Sequence, residues 1–198
     1  MSPAPPAAQP APATYVLVDA ENIDRTIGEI LGRRPSGGER VNYQSLVNFC
    51  SERWPKPVRC LVCLNVRGEQ IPETMLGFVQ ALRASKCDVV PLYGRPDQKV
   101  VDIAIQRLLD ALKDRPQANV ILGSHDGEDF ASHVAPLLGE GRSVAVLGFR
   151  EHFSQRFRDL QSQGLEMLDL EYDAKALPQR LPRLAPIRID EFDPNHFL

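Results

Sequence analysis

Short apolar runs and longer amphipathic stretches alternate along most of the chain. The runs "YVLVD" (15–19), "VRCLVCLN" (58–65), "DVVPLY" (88–93), "NVILGS" (119–124) and "SVAVLGF" (143–149) are rich in β-branched residues and nearly continuous in apolar character. That pattern predicts strands buried on both faces. Apolar positions at helical spacing fill the gaps: Ile23 to Leu31 and Tyr43 to Cys50, then Glu73 to Ala84, Val100 to Lys113, and Phe130 to Leu138. A short helix near Phe153 to Leu160 and a weaker sixth strand, "LEMLDL" (165–170), follow. Apolar strands separated by helices predict an α/β fold, with a parallel sheet covered on both sides.

The two ends depart from this pattern. Residues 1–13, "MSPAPPAAQPAPA", are uncharged, Pro/Ala-rich and without periodicity, which predicts a disordered or polyproline-like leader. Residues 14–173 form the expected domain. From Ala174 to Leu198 four prolines break both periodicities, which predicts an extended tail. Its spaced Leu181, Leu184, Ile187, Phe192 and Phe197 suggest docking on the domain or on a partner.

Composition narrows the class. At 198 residues the chain suits one domain. A net charge of -3 and a pI near 5.8 argue against a protein that coats nucleic acid by bulk charge, but leave room for a local basic groove. No apolar run approaches the roughly 20 residues that cross a bilayer, and no signal-peptide pattern opens the chain, so a cytoplasmic protein with no membrane partner is expected. Cys60 and Cys63 have CxxC spacing, but a period of two turns them to opposite faces of a strand, which predicts core thiols and neither zinc nor a disulfide.

The acids are not scattered. In an open parallel sheet, ligands bind beyond the carboxyl ends of the strands, where strand order reverses. The first strand ends at Asp19, followed by Glu21 and Asn22; the fourth ends at Ser124, followed by His125, Asp126, Glu128 and Asp129. "GRPDQKVVDIAI" (94–105) sets Lys99 and Asp102 at the mouth of the third crossover helix. Each piece has a plain alternative. Asp19 and Asn22 also suit a turn and a helix cap, and Asp126 and Asp129 suit a cap and a first turn. Convergence of all three stretches would instead suit a hard divalent cation and phosphoryl chemistry.

The segments "VLVDAENID", "KVVDIAI" and "SHDGEDF" resemble the three acidic motifs of NYN domains, in the PIN-like nuclease superfamily, over about Tyr15 to Asp169. The resemblance implies a PIN-like three-layer sandwich with strand order 3-2-1-4-5 and a Mg2+ or Mn2+ site. It also implies cleavage of single-stranded or structured RNA. It assigns Asp19, Asp102 and Asp126 to the metal, Asn22 to orienting water or ligand, and Asp129 to an outer acidic role. The third motif carries one residue more than the family pattern, so Glu128 and Asp129 both stand as the fourth acid.

Arg67, Arg95, Lys99 and Arg150 follow strand ends on the expected ligand side and are candidates to hold RNA phosphates. Lys56, Lys86, Arg115 and Arg142 at the opposite end leave charge placement without discriminating force. Tyr93 suits either base stacking or packing. His125 suits either support of the acids or an ordinary loop. The leading expectation is a metal-dependent endoribonuclease; the alternative is a catalytically weak RNA-binding or scaffolding module. A phosphatase using Asp19 as nucleophile lacks the second Asp two residues on, since position 21 is Glu. Dinucleotide binding lacks its Gly-rich turn. A homo-oligomer remains open.

Overall fold

The computed structural model describes residues 12–139, 141–183 and 188–196. Most of the leader, together with Leu184, Ile187 and Phe197 of the tail, lies outside the described residues. Six strands form one parallel sheet: β1 (Thr14–Asp19), β2 (Val58–Asn65), β3 (Cys87–Leu92), β4 (Asn119–Gly123), β5 (Val144–Gly148) and β6 (Glu166–Asp169), in the order β3-β2-β1-β4-β5-β6. The expected order is extended by the sixth strand at the β5 edge. Pro91 sits within β3, an edge strand, where a missing N–H costs the ladder least.

The helices α1 (Ala20–Leu31), α2 (Tyr43–Arg53) and α3 (Glu73–Ala84) cover one face, and α4 (Val100–Leu112), α5 (Gly127–Val134) and α6 (Gln155–Leu160) cover the other. Strand β1 shows how a period of two builds both layers. Val16 and Val18 join the core with Ile23, Ile27, Leu46 and Leu82, while Tyr15 and Leu17 join Ile105, Leu109, Phe130 and Phe157 opposite. Cys60 and Cys63 divide between the same two cores, and all four cysteines are free and buried.

Two helices begin earlier than apolar periodicity predicts. Helix α1 starts at Ala20, because Asp19 ends the strand and caps the helix at once, its Oδ1 accepting the N–H of Asn22 at 3.0 Å. Helix α5 starts at Gly127, because Asp126 does the same for the N–H of Asp129 at 3.1 Å. Such caps satisfy N–H groups that the helix itself leaves without partners. Beyond β6 the chain has no further strand or α-helix among the described residues. Ala174, Ala176 and Leu181 nevertheless complete the α1–α3 core. Among the described residues no helix is long and apolar enough to cross a membrane.

Candidate functional site

The order of strands reverses between β1 and β4: the chain leaves β1 toward β2 on one side and reaches β4 through α4 on the other. At the carboxyl end of this junction lies a polar crevice of about 450 Å3, lined by Asp19, Asn22, Arg25, Asn65, Lys99, Asp102 and Asp126 among others. Three acidic stretches distant in sequence thus share one cavity. Asp19 comes from the end of β1, Asp102 from the first turn of α4, and Asp126 from the cap of α5.

The capping and pocket readings of these acids turn out to be compatible. Asp19 and Asp126 each use Oδ1 as a cap, which leaves a second oxygen to each carboxylate. Asp19 is buried, and burial pushes its carboxyl up to about 6 from the ordinary 3.8; the Asn22 N–H draws it down, while Asp102 and Glu21 add to the rise. Asp102 is also raised, first by burial and then by Asp129. Lys99 answers the crowding from the mouth, with Nζ 2.6 Å from Asp129 and 3.6 Å from Asp102.

The extra residue in the third motif separates its two candidate acids. The Asp129 carboxylate meets Lys99 beside Asp102, whereas exposed Glu128 turns to Arg156 at 2.7 Å. Of the four basic candidates only Lys99 lines the crevice. Exposed Arg67 and Arg95 lie outside it, Arg95 standing 4.0 Å from Asp97, and Arg150 turns to Asp173 at 3.2 Å. Tyr93 is exposed rather than packed.

Arg25 and Asn65 also line the crevice, although the sequence reading did not single them out. The signals were available. Asn65 ends β2, at the same edge of the sheet as Asp19. Arg25 follows Asn22 by three positions, and Asn22, Arg25, Thr26 and Glu29, at helical spacing, line an adjoining cavity of about 250 Å3 with His125, Asp126 and His152. His125 is no free loop residue. It is buried, with its ring stacked on Phe149 at 5.5 Å and 9°, and burial followed by the nearby His152 lowers its pKa to about 4, so it is neutral near neutral pH.

The crevice offers carboxylate and amide oxygens in an open arrangement, not a closed cage. Among the described residues no compact group of three or more metal-ligating side chains is preformed, and magnesium binds through one or two carboxylates while keeping several waters. Buried Asp19, with its charge disfavoured, is the group that such a cation would relieve most.

Comparison with solved structures finds the same fold in a crystal structure of a protein of unknown function from Vibrio parahaemolyticus. The TM-score is 0.59 at 20% identity, over 82% of this chain and 94% of that one. Comparison with curated proteins gives no significant match. The NYN domain family model matches residues 13–170, from the start of the first strand to just past the last, and on that extent the chain belongs to the NYN domain family.

Proposed function

We propose that the protein is a metal-dependent endoribonuclease whose site is the crevice between β1 and β4. The observation that carries the reading is the meeting of Asp19, Asp102 and Asp126, from three separate elements, in one cavity at the reversal of strand order. Family membership adds support for a nuclease fold of a kind that acts on RNA. Fold alone does not confer activity, so the reading rests on these residues.

In this reading the three carboxylates hold Mg2+ or Mn2+. The bound cation supplies positive charge that polarises a phosphodiester and makes water a stronger nucleophile. The remaining groups position the strand. Lys99 and Arg25 offer cationic donors to phosphate oxygens from the rim, and Asn22 offers an amide. Asp129 holds Lys99 in place at 2.6 Å. The free, buried cysteines suit a reducing compartment and hence a cytoplasmic site of action.

The alternative of a catalytically weak RNA-binding module has its own support. Lys99 already reaches two of the acids, and a lysine so placed competes with a cation. The deciding experiment is purified protein with end-labelled single-stranded RNA in manganese, magnesium or chelator, beside Asp19→Asn. Cuts that need the metal and vanish in the variant support the ribonuclease. RNA binding without cuts supports the module.

A further inference from the structure

The hydrogen bonds of His125 determine which way the amide of Asn22 points. Nε2 of His125 takes the N–H of Phe149 at 2.7 Å. A backbone amide can only donate, so Nε2 carries no proton and the neutral ring bears it on Nδ1. That Nδ1 lies 3.1 Å from Oδ1 of Asn22 and 3.2 Å from the Thr26 hydroxyl. The hydroxyl gives its proton to the main-chain carbonyl of Asn22 at 3.0 Å, so toward the ring it accepts. Oδ1 of Asn22 also accepts the backbone N–H of His125 at 2.9 Å. With two donors at one end of the amide, that end is the oxygen. The other end, Nδ2, has no hydrogen bond among the described residues and is not one of their sealed, unpartnered atoms, while Asn22 lines the crevice.

The ring is held in a built slot. Phe149 stacks on it, Phe153 lies 5.7 Å away, and a side chain at Gly148 would come within 2.6 Å of Nε2. We infer that His125 is a positioning residue: it turns Asn22 so that its N–H donors, not its carbonyl, face the crevice and meet a phosphate oxygen of bound RNA. Asn22 is then no cation ligand, since its oxygen is engaged and an amide NH2 does not coordinate. The inference rests on the RNA reading for the identity of the acceptor, and on the hydrogen bonds alone for the orientation.

Two measurements test it. The first uses wild-type protein labelled with nitrogen-15, without RNA or metal, and reads the ring nitrogens of His125. A neutral ring protonated at Nδ1 is expected; a ring protonated at Nε2 overturns the inference. The second is a double-mutant cycle in manganese-dependent RNA cleavage, with folding of each variant checked by its melting temperature. His125→Gln keeps an acceptor for Phe149 and loses the donor to Asn22, so kcat/KM should fall about tenfold, the worth of roughly one hydrogen bond. In an Asn22→Ala background the same change should cost nothing further, and His125→Asn, which keeps an N–H near the Nδ1 position, should recover part of the loss. A His125→Gln loss that adds in full to that of Asn22→Ala overturns the inference. If wild-type protein cuts no RNA, the ribonuclease reading fails, and the cycle is read on affinity for a single-stranded RNA, where the same non-additivity supports the clamp and full additivity removes it.

Discussion

Asp19 shows how one side chain can serve the fold and the site in opposition. Its capping oxygen stabilises α1, while its buried charge costs stability. Because its folded pKa of about 6 lies above the ordinary 3.8, the folded state binds the proton more tightly than the unfolded chain. Stability attributable to this group therefore falls as pH rises between those values, and the full cost, at most about 3 kcal/mol, stands above them. Asn caps as well as Asp. In chelator, Asp19→Asn should thus be about 1–3 kcal/mol more stable than wild type near pH 7.5, with the gain gone by about pH 4, as read by denaturant melts. A variant less stable at every pH would mean that the cap needs its charge. Lys99 gives a second prediction at this scale. Its Nζ competes with any cation for Asp102 and Asp129, so Lys99→Ala should bind manganese several-fold more tightly by calorimetry; unchanged or weaker binding would show that the lysine does not compete. The acids were legible because strand ends mark the ligand edge, and Lys99 with them. Arg25 was not, because an arginine on an amphipathic helix reads as solvated surface until its spacing from Asn22 is considered. Nor was the setting of His125, whose partners Asn22, Thr26 and Phe149 lie 24 or more residues away in sequence.

Among the elements, the strands and the starts of α2, α3 and α4 were read almost to the residue, and the starts of α1 and α5 were not. Apolar content reports burial, but a helix begins where a cap accepts its first N–H groups, and at Asp19 and Asp126 those caps are the same carboxylates to which the proposed function assigns the cation. The elements also meet more closely than periodicity can tell. Gly148 closes β5 directly beneath the ring of His125, and a Cβ there would stand 2.6 Å from Nε2, 2.7 Å from the adjoining ring carbon and 2.9 Å from Phe153. Both neighbours are rigid rings, so neither can yield cheaply. Gly148→Ala should cost about 1–3 kcal/mol, the usual range for overpacking, with displacement of His125 visible in its ring resonances. Loss of stability with those resonances unmoved would place the strain on Phe153 instead.

At the scale of the whole molecule, near-continuous apolar strands joined by helices imply a parallel sheet, and the family resemblance supplied the strand order. Neither reports how the chain beyond β6 is used. The backbone N–H of Asn42, which caps α2, donates to the carbonyl of Ala176 at 2.7 Å, and the N–H of Ala176 returns to Leu170 at 2.8 Å. Leu181 is buried and donates its N–H to the Glu171 carboxylate at 2.7 Å. Glu171 is itself buried, with Arg183 at 2.5 Å as its counter-charge, a contact close in distance but not aligned as a hydrogen bond. Spaced leucines suggested docking; a buried glutamate ten positions before Leu181 gave no sign in sequence of needing an arginine from that tail. The pair supplies the test of whether the segment is part of the folded unit. Removing Arg183 alone leaves a buried carboxylate unpaired, a change that typically costs 3–5 kcal/mol, while removing both charges is often nearly neutral. Arg183 also holds Glu151 at 2.9 Å, but that contact is half exposed and contributes little. Arg183→Met should therefore lower the unfolding free energy by roughly 2–4 kcal/mol at pH 7, and adding Glu171→Gln should restore most of it, because the amide still accepts the N–H of Leu181. The manganese response and RNA cleavage of the double variant should match wild type, since neither residue lines the crevice. An Arg183→Met protein as stable as wild type would mean that the segment after β6 lies on the domain without holding it together.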